Sequence, residues 1–296
     1  MSEHKTPETP RLGAHMSIAG GIHQALLRGQ RIGCDTIQIF TSSPNRWRSR
    51  GLSPKETQAF ISLREETGIW PIVAHSSYLV NLASPDDELW KRSIDSIVEQ
   101  LSRCFRLGIS SYVLHPGAHK GTGEASGLQR IVKGLNAVLE ATSSFGTHVL
   151  LETTAGSGSH LGYRFEQLAW LINNVCAPER VQVCVDTAHI FAAGYEFRTP
   201  ETYDRMWEQF ERIVGIERVR CIHLNDSLGD LGSRKDRHEH LGKGHIGLTA
   251  FRLLVSDERF RSVPMILETP KSPDLHEDVR NLEILRGFRQ AISHSA

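Results

Sequence analysis

At 296 residues, with 39% hydrophobic and 23% charged side chains, the chain has a globular composition and suits one α/β barrel of about 250 residues better than a small module. Its formal charge is zero, 34 basic residues against 34 acidic, which excludes a uniformly basic nucleic-acid binder and leaves local clusters as contact faces. No stretch approaches the ~20 apolar residues of a membrane span, and MSEHKTPETPR carries no signal-peptide core. Residues 1–10 read as a short disordered tail, 11–296 as one catalytic domain, and the compartment as cytoplasmic.

In chain order, RLGAH is the first strand-like run, ending at His15, and a helical pattern over 20–32 follows, with Gly33 as its stop. DTIQIF ends at Phe40. The loop TSSPNRWRSR follows, then Ser53 as N-cap and Pro54 open a helix over 54–67. PIVAH ends at His75, before a helix over 87–107 that Gly108 ends. SSYVLH ends at His115, before a helix over 126–142. THVLLE ends at Glu152, before a helix over 164–173, and RVQVCVD ends at Asp186, before a helix over 200–214. RVRCIH ends at His223, ahead of a long charged loop and a helix over 249–256. PMILE ends at Glu268, and a helix over 275–292 closes the chain. Each run is near-continuously apolar, as a strand buried on both faces should be. Eight alternations predict an α/β fold in one domain, a (β/α)8 TIM barrel. A doubly wound open sheet is the alternative, weakened in its dinucleotide-binding form because no GxGxxG follows the first strand.

Strands three to eight end in His75, His115, Glu152, Asp186, His223 and Glu268, all metal-ligand types. His, Asp and Glu make up only 49 of the 296 residues, so six consecutive strand ends drawn from them point to a site rather than to chance. The C-terminal strand ends of a barrel converge on one face, where its active site lies. His189 follows Asp186 by one helical turn, and Asp236 and His238 stand two apart in the loop after strand seven, a spacing that lets both grip one ion. His15 is expected to support this set from outside it. Nine ligands exceed one tetrahedral zinc and suit three ions, one carboxylate bridging. Two metals about 3.5–4 Å apart are a recurring device for phosphoryl hydrolysis. An imidazole-rich set favours zinc over magnesium, and manganese or iron also suits part of it. The five cysteines, Cys34, Cys104, Cys176, Cys184 and Cys221, form no CxxC pair; they read as reduced and structural, and no cysteine-based zinc site is expected.

The segments GAHMSIAGG (13–21), HSSYLVNLASP (75–85), LHPGAH (114–119), LETTAGSGSHLG (151–162), CVDTAHIFAAGYEFRTP (184–200), HLNDSLGDLGSRKDRHEHLGKGHIG (223–247) and LETP (267–270) resemble, in order, the endonuclease IV family of apurinic/apyrimidinic endonucleases. The resemblance runs from about Leu12 to near the C-terminus. It implies a TIM barrel with a trinuclear zinc centre: His75, His115 and Glu152 on the first ion; Glu152, Asp186, His223 and Glu268 on the second; His189, Asp236 and His238 on the third. Glu152, Glu268 and His115 are then expected to carry catalysis as well. The implied reaction is hydrolysis of the phosphodiester 5′ to an abasic site in duplex DNA, with a hydroxide shared by two zincs as nucleophile, and 3′-end phosphodiesterase activity beside it.

The loops of that face supply candidate DNA contacts in Arg46, Trp47, Tyr78, Leu79, Arg234 and Arg237, basic groups for phosphates and apolar wedges for the base stack. Where family members often carry a wedge arginine this chain has Asn45, just before Arg46. A monomer is expected. The rivals are a sugar isomerase or epimerase of the related barrel type, which needs one or two ions, and a silent nucleic-acid-binding barrel, which the complete ligand set opposes.

Overall fold

Leu12–His15 (β1), Thr36–Phe40 (β2), Ile72–His75 (β3), Ser111–Leu114 (β4), His148–Glu152 (β5), Val181–Asp186 (β6), Val219–His223 (β7) and Met265–Leu267 (β8) pair in parallel, each with the next, in a computed structural model that describes residues 10–48 and 50–293. The ring closes where β1 pairs with β8, Leu12 opposite Met265 and Ala14 opposite Leu267. The fold is therefore the (β/α)8 TIM barrel that the alternation predicts. Of the tail expected over 1–10, only Pro10 falls among the described residues, and it is buried. No helix among the described residues is long and apolar enough to cross a membrane.

The helices are Gln24–Arg31 (α1), Pro54–Thr67 (α2), Asp87–Leu107 (α3), Glu124–Ala141 (α4), Phe165–Asn174 (α5), Thr187–Ala193 (α6), Pro200–Ile213 (α7), Leu248–Ser256 (α8) and His276–Ser293 (α9). α2 begins where its cap predicts: the Ser53 side chain accepts the Glu56 backbone N–H, and Glu56 accepts the Ser53 backbone N–H in return. α1 starts four residues later than the pattern suggests. Gly20 and Gly21 stand at φ +86° and +126°, which no right-handed helix accommodates. α6 is a helix that the pattern does not announce. Six of its seven residues, Thr187 to Ala192, are buried, so it shows no amphipathic stripe. Two antiparallel ribbons of two residues per strand, Gly117–Ala118 with His160–Leu161 and Asp226–Ser227 with His238–Glu239, fold the longer loops back over the barrel mouth.

Alternation along the strands orders the interior. Side chains two apart on a strand face the same way. Val73, Val113, Leu150, Cys184, Cys221 and Ile266 form one fully buried cluster inside the barrel. Each lies two residues before one of the six strand-end candidates, from His75 to Glu268. The candidates thus form the next layer up, over an apolar floor. His115 and Glu268 sit one residue past β4 and β8.

Candidate metal centre

Glu152, fully buried at the end of β5, is the hub of that layer. Its Oε2 lies 3.0 Å from His75 Nε2 and 3.0 Å from His115 Nε2. Its other oxygen, Oε1, lies 3.2 Å from His223 Nδ1. His223 Nδ1 is in turn 3.1 Å from Glu268 Oε2 and 3.7 Å from Asp186 Oδ2. One carboxylate therefore faces the first group through Oε2 and the second through Oε1, and Oε1 also lies 3.2 Å from His189 Nδ1. A third group gathers on Asp236 Oδ1, 3.1 Å from His189 Nε2 and 3.5 Å from His238 Nε2, the latter also 3.6 Å from Asp186 Oδ2. Potential ligand atoms cluster in the sets His75, His115, Glu152; Glu152, Asp186, His223, Glu268; and Asp186, His189, His238. All nine expected ligands are thus brought to one mouth, with Asp186 between two sets.

The rings are aimed by their other nitrogens. His75 Nδ1 meets Ser76 O at 2.9 Å, His189 Nδ1 meets Thr153 O at 2.8 Å, and His238 Nδ1 meets Glu268 O at 3.2 Å. His223 Nε2 meets Gln38 Oε1 at 2.8 Å. An oxygen acceptor on one ring nitrogen fixes the proton there and leaves the lone pair of the other pointing into the cluster, which is how metal-binding histidines are held. His238 Nε2 is buried with no hydrogen-bond partner among the described residues. The donor set, with this inward-facing buried nitrogen, fits divalent cations of zinc type.

Electrostatics agree with that fit. Burial opposes ionisation of Glu152, yet the imidazoles around it, His115 and His223 first, hold its carboxyl well below the usual range. Burial likewise opposes ionisation of Glu268, and His223 and His15 overcome it. Asp236 is held low against its burial by His189. Conversely, burial works against protonation of His75 and His189, but Glu152 raises the first and Asp186 with Asp236 raises the second well above its ordinary value. Without a cation, the charge of these buried carboxylates is balanced by protonated imidazoles, since a buried charge left unpaired is costly.

The supports around the ligands include residues that sequence reasoning did not single out. Gln38, inside β2, binds His15 Nδ1 at 3.0 Å and Glu268 Oε1 at 2.5 Å through Nε2, besides receiving His223. Asn225 holds Asp186. His15 stands beside the ligands, 3.5 Å from Glu268 Oε1. Lys271, after β8, reaches the same cavity.

The family described as Xylose isomerase-like TIM barrel matches residues 27–288. The chain is 50% identical to the probable endonuclease 4 of Chloroflexus aurantiacus, over 95% of this chain and 99% of that protein. It is also 50% identical to the probable endonuclease 4 of Geobacter sulfurreducens, over 93% of each. The crystal structure of endonuclease IV from Thermus thermophilus superposes with a TM-score of 0.84 at 41% identity, over 95% of this chain and 100% of that one. The chain belongs to the endonuclease IV family.

In this endonuclease IV chain the metal candidates open into a cavity of about 580 Å³, walled by His15, Phe40, Tyr78 and Lys271 as well as by ligands. Tyr78 is 70% exposed and braced edge-on by Phe40 at 5.2 Å. Leu79 lines a neighbouring pocket of about 380 Å³ that shares His75, His115 and Asp236 with the cavity. Arg46 is exposed over a separate pocket with Arg48, Arg50 and Arg103. Trp47 is not at the metal mouth. Its ring lies 4.5 Å from the Arg92 guanidinium, so it ties the loop to α3. Arg234 lies over the Tyr163 ring at 4.9 Å and joins the loops after β5 and β7. Arg237 is exposed, with only the neighbouring Asp236 carbonyl as its side-chain hydrogen-bond partner among the described residues.

Proposed function

We propose that the chain hydrolyses the phosphodiester 5′ to abasic sites in duplex DNA, leaving a 3′-hydroxyl and a 5′-deoxyribose phosphate. The bridging posture of Glu152, one oxygen toward each of two donor groups, carries this reading. Three zinc ions per chain would be held by His75, His115 and Glu152, by Glu152, Asp186, His223 and Glu268, and by His189, Asp236 and His238. When bound, they would neutralise phosphate charge and lower the pKa of a water.

The side chains do the rest. Glu152, Glu268 and His115 would hold the ions at the centre of the layer, and the reacting phosphate would be seated there by the ions' positive charge. Water attacks phosphorus in line, the bond from phosphorus to the 3′ oxygen breaks, and that oxygen leaves as the hydroxyl after taking up a proton. Tyr78 and Leu79, beside the cavity, would serve as apolar wedges in the base stack, and Arg46, Arg234 and Arg237, on the loops, would meet phosphates. Trp47 serves by holding the Arg46 loop in place. An abasic nucleotide is cheap to extrude because no base is stacked there, which gives selectivity for the lesion. A 3′-blocking phosphoester would present the same bond to the same centre, so 3′-end phosphodiesterase activity is part of the reading. One chain carries the whole ligand set, and a monomer suffices.

The test is incision of a labelled duplex with one tetrahydrofuran abasic analogue, which cannot undergo β-elimination. A single 5′ cut with an extendable 3′ end is expected, and Glu152→Gln should reduce it by about 10³-fold or more. A chain holding three zincs that leaves the duplex intact would overturn the proposal and turn attention to sugar substrates.

A further inference from the structure

The floor beneath the ligand layer is aliphatic on four of its six strands and sulfur on the other two. Cys184 lies two residues before Asp186 on β6, and Cys221 two residues before His223 on β7. β6 and β7 are neighbours, with Cys184 opposite Cys221 and Asp186 opposite His223. The two thiols are therefore stacked directly below two ligands of the second donor group. The sulfur atoms and a ring nitrogen of His223 all lie within 4.8 Å of one another. All three residues are 0% exposed, and both thiols are free. Thirty-seven positions separate the cysteines in sequence; the barrel register alone brings them together.

We infer that Cys184, Cys221 and His223 form a capture site for a soft, thiophilic cation of the Cd²⁺, Hg²⁺ or Cu⁺ class. Thiolates select such ions, and imidazole completes the set. Even a metal–sulfur bond as short as the ~2.3 Å of zinc spans two sulfurs about 3.8 Å apart around a tetrahedral ion, within the observed spread, and larger soft ions reach further. The other members of the floor, Val73, Val113, Leu150 and Ile266, are aliphatic and bring no ligand of their own. Capture of a divalent ion forms two metal–sulfur bonds and releases the two thiol protons to solvent.

The site and the second donor group exclude each other. His223 Nε2 is engaged by Gln38, which leaves Nδ1 as the one nitrogen free for a metal, and that atom faces Glu268 and Glu152. A cation drawn down to the thiols takes His223 with it. Soft ions then inhibit by dismantling the second site, a consequence that rests on the metal reading above; the capture itself does not.

The experiment is titration of the zinc-loaded, full-length chain with CdCl₂. Three signals are followed: thiolate-to-cadmium charge-transfer absorption, free thiols and released zinc. The wild type should saturate at one cadmium per chain in the absorption signal, with two thiols protected and one zinc released. Cys221→Val and Cys184→Val should each weaken that signal at least tenfold in affinity, and the double variant should abolish it. Undiminished absorption in the double variant would overturn the site, as would cadmium uptake by the wild type with no thiolate absorption. Should the variants misfold by circular dichroism, cadmium NMR of the wild type still separates sulfur from nitrogen and oxygen donors and decides the matter. Incision of the abasic duplex is run on the same samples. Thiolate absorption without incision at any zinc load leaves capture standing and removes the abasic reading; incision without thiolate absorption does the reverse.

Discussion

Asn225 and Asp186 are joined by a 2.7 Å hydrogen bond from Nδ2 to Oδ2, and the Oδ1 of the same amide accepts the Glu268 backbone N–H at 2.8 Å. One fully buried side chain thereby orients two ligands from different strands. Partners of this kind typically govern metal affinity by roughly 10–100-fold when removed. Asn225→Ala should therefore fold but lose zinc to a competing chelator at correspondingly lower chelator concentration, with incision restored by excess zinc. Zinc retention equal to wild type would remove Asn225 from this role.

The third donor group touches the second through Asp186, but its Asp236 stands apart from both other groups. Among the ligands, Asp236 contacts only His189 and His238, and it lies in a loop rather than on a strand. Asp236→Ala should reduce metal content from three zincs to two without loss of the barrel. Elemental analysis of the dialysed protein reads this directly. Loss of all metal in that variant would mean that the three groups bind as one unit.

Lys271 donates to the His15 carbonyl at 3.1 Å and to Asp278 Oδ2 at 2.8 Å, which holds its ammonium at the cavity wall. Lys271→Met should weaken binding of abasic duplex and reduce the log–log salt slope by about one. An unchanged slope would place Lys271 outside the DNA contact. Its partner titrates in the opposite sense to most carboxylates here. Burial pushes Asp278 up despite Lys271. With a raised folded pKa, its contribution is present below the unfolded value and lost as pH rises through the folded one. Asp278→Asn should therefore gain stability relative to wild type across that rise, as a series of thermal melts would show.

The cap of α2 gives a prediction remote from the site. Ser53→Ala should cost about 1 kcal/mol in denaturant unfolding. Hydrogen bonds from the Ser53 backbone and side chain, with Arg50, lower Glu56 to about 2. A depressed carboxyl stabilises above its unfolded pKa, and the contribution is lost as pH falls toward about 2. The difference between wild type and Ser53→Ala should shrink over that window. A difference constant with pH would contradict the reciprocal cap.

The barrel and its mouth were legible because buried parallel strands read as uninterrupted apolar runs and their ends fall on one face. His75 through Glu268 could be found from that rule alone. Gln38 could not: its role depends on β2 lying near β7 across the barrel, and nothing in TIQIF marks a polar side chain as inward. Thr187–Ala193 escaped because a helix buried nearly all round has no period to detect. Trp47 reads from the sequence as a DNA contact because an aromatic between arginines suits DNA; that Arg92, 45 positions away, lies over its ring could not be read there. The Cys184–Cys221 pair was invisible for a related reason, since spacing along the chain says nothing about register between strands.

Closure of the ring through β1 and β8 has a further consequence, for biosynthesis. Gly13 is packed so tightly that an added Cβ would lie 1.7 Å from the Thr36 carbonyl oxygen, so β1 is built for a close partner on its β2 side. Its other edge must wait for Met265–Leu267, the last of the eight barrel strands in chain order. Until then the nascent chain carries an open parallel edge, the kind of surface that invites wrong pairing and calls on chaperones. His75, His115 and Glu152 are made long before Glu268. The second donor group, which includes Glu268, can therefore be complete only once β8 has been made.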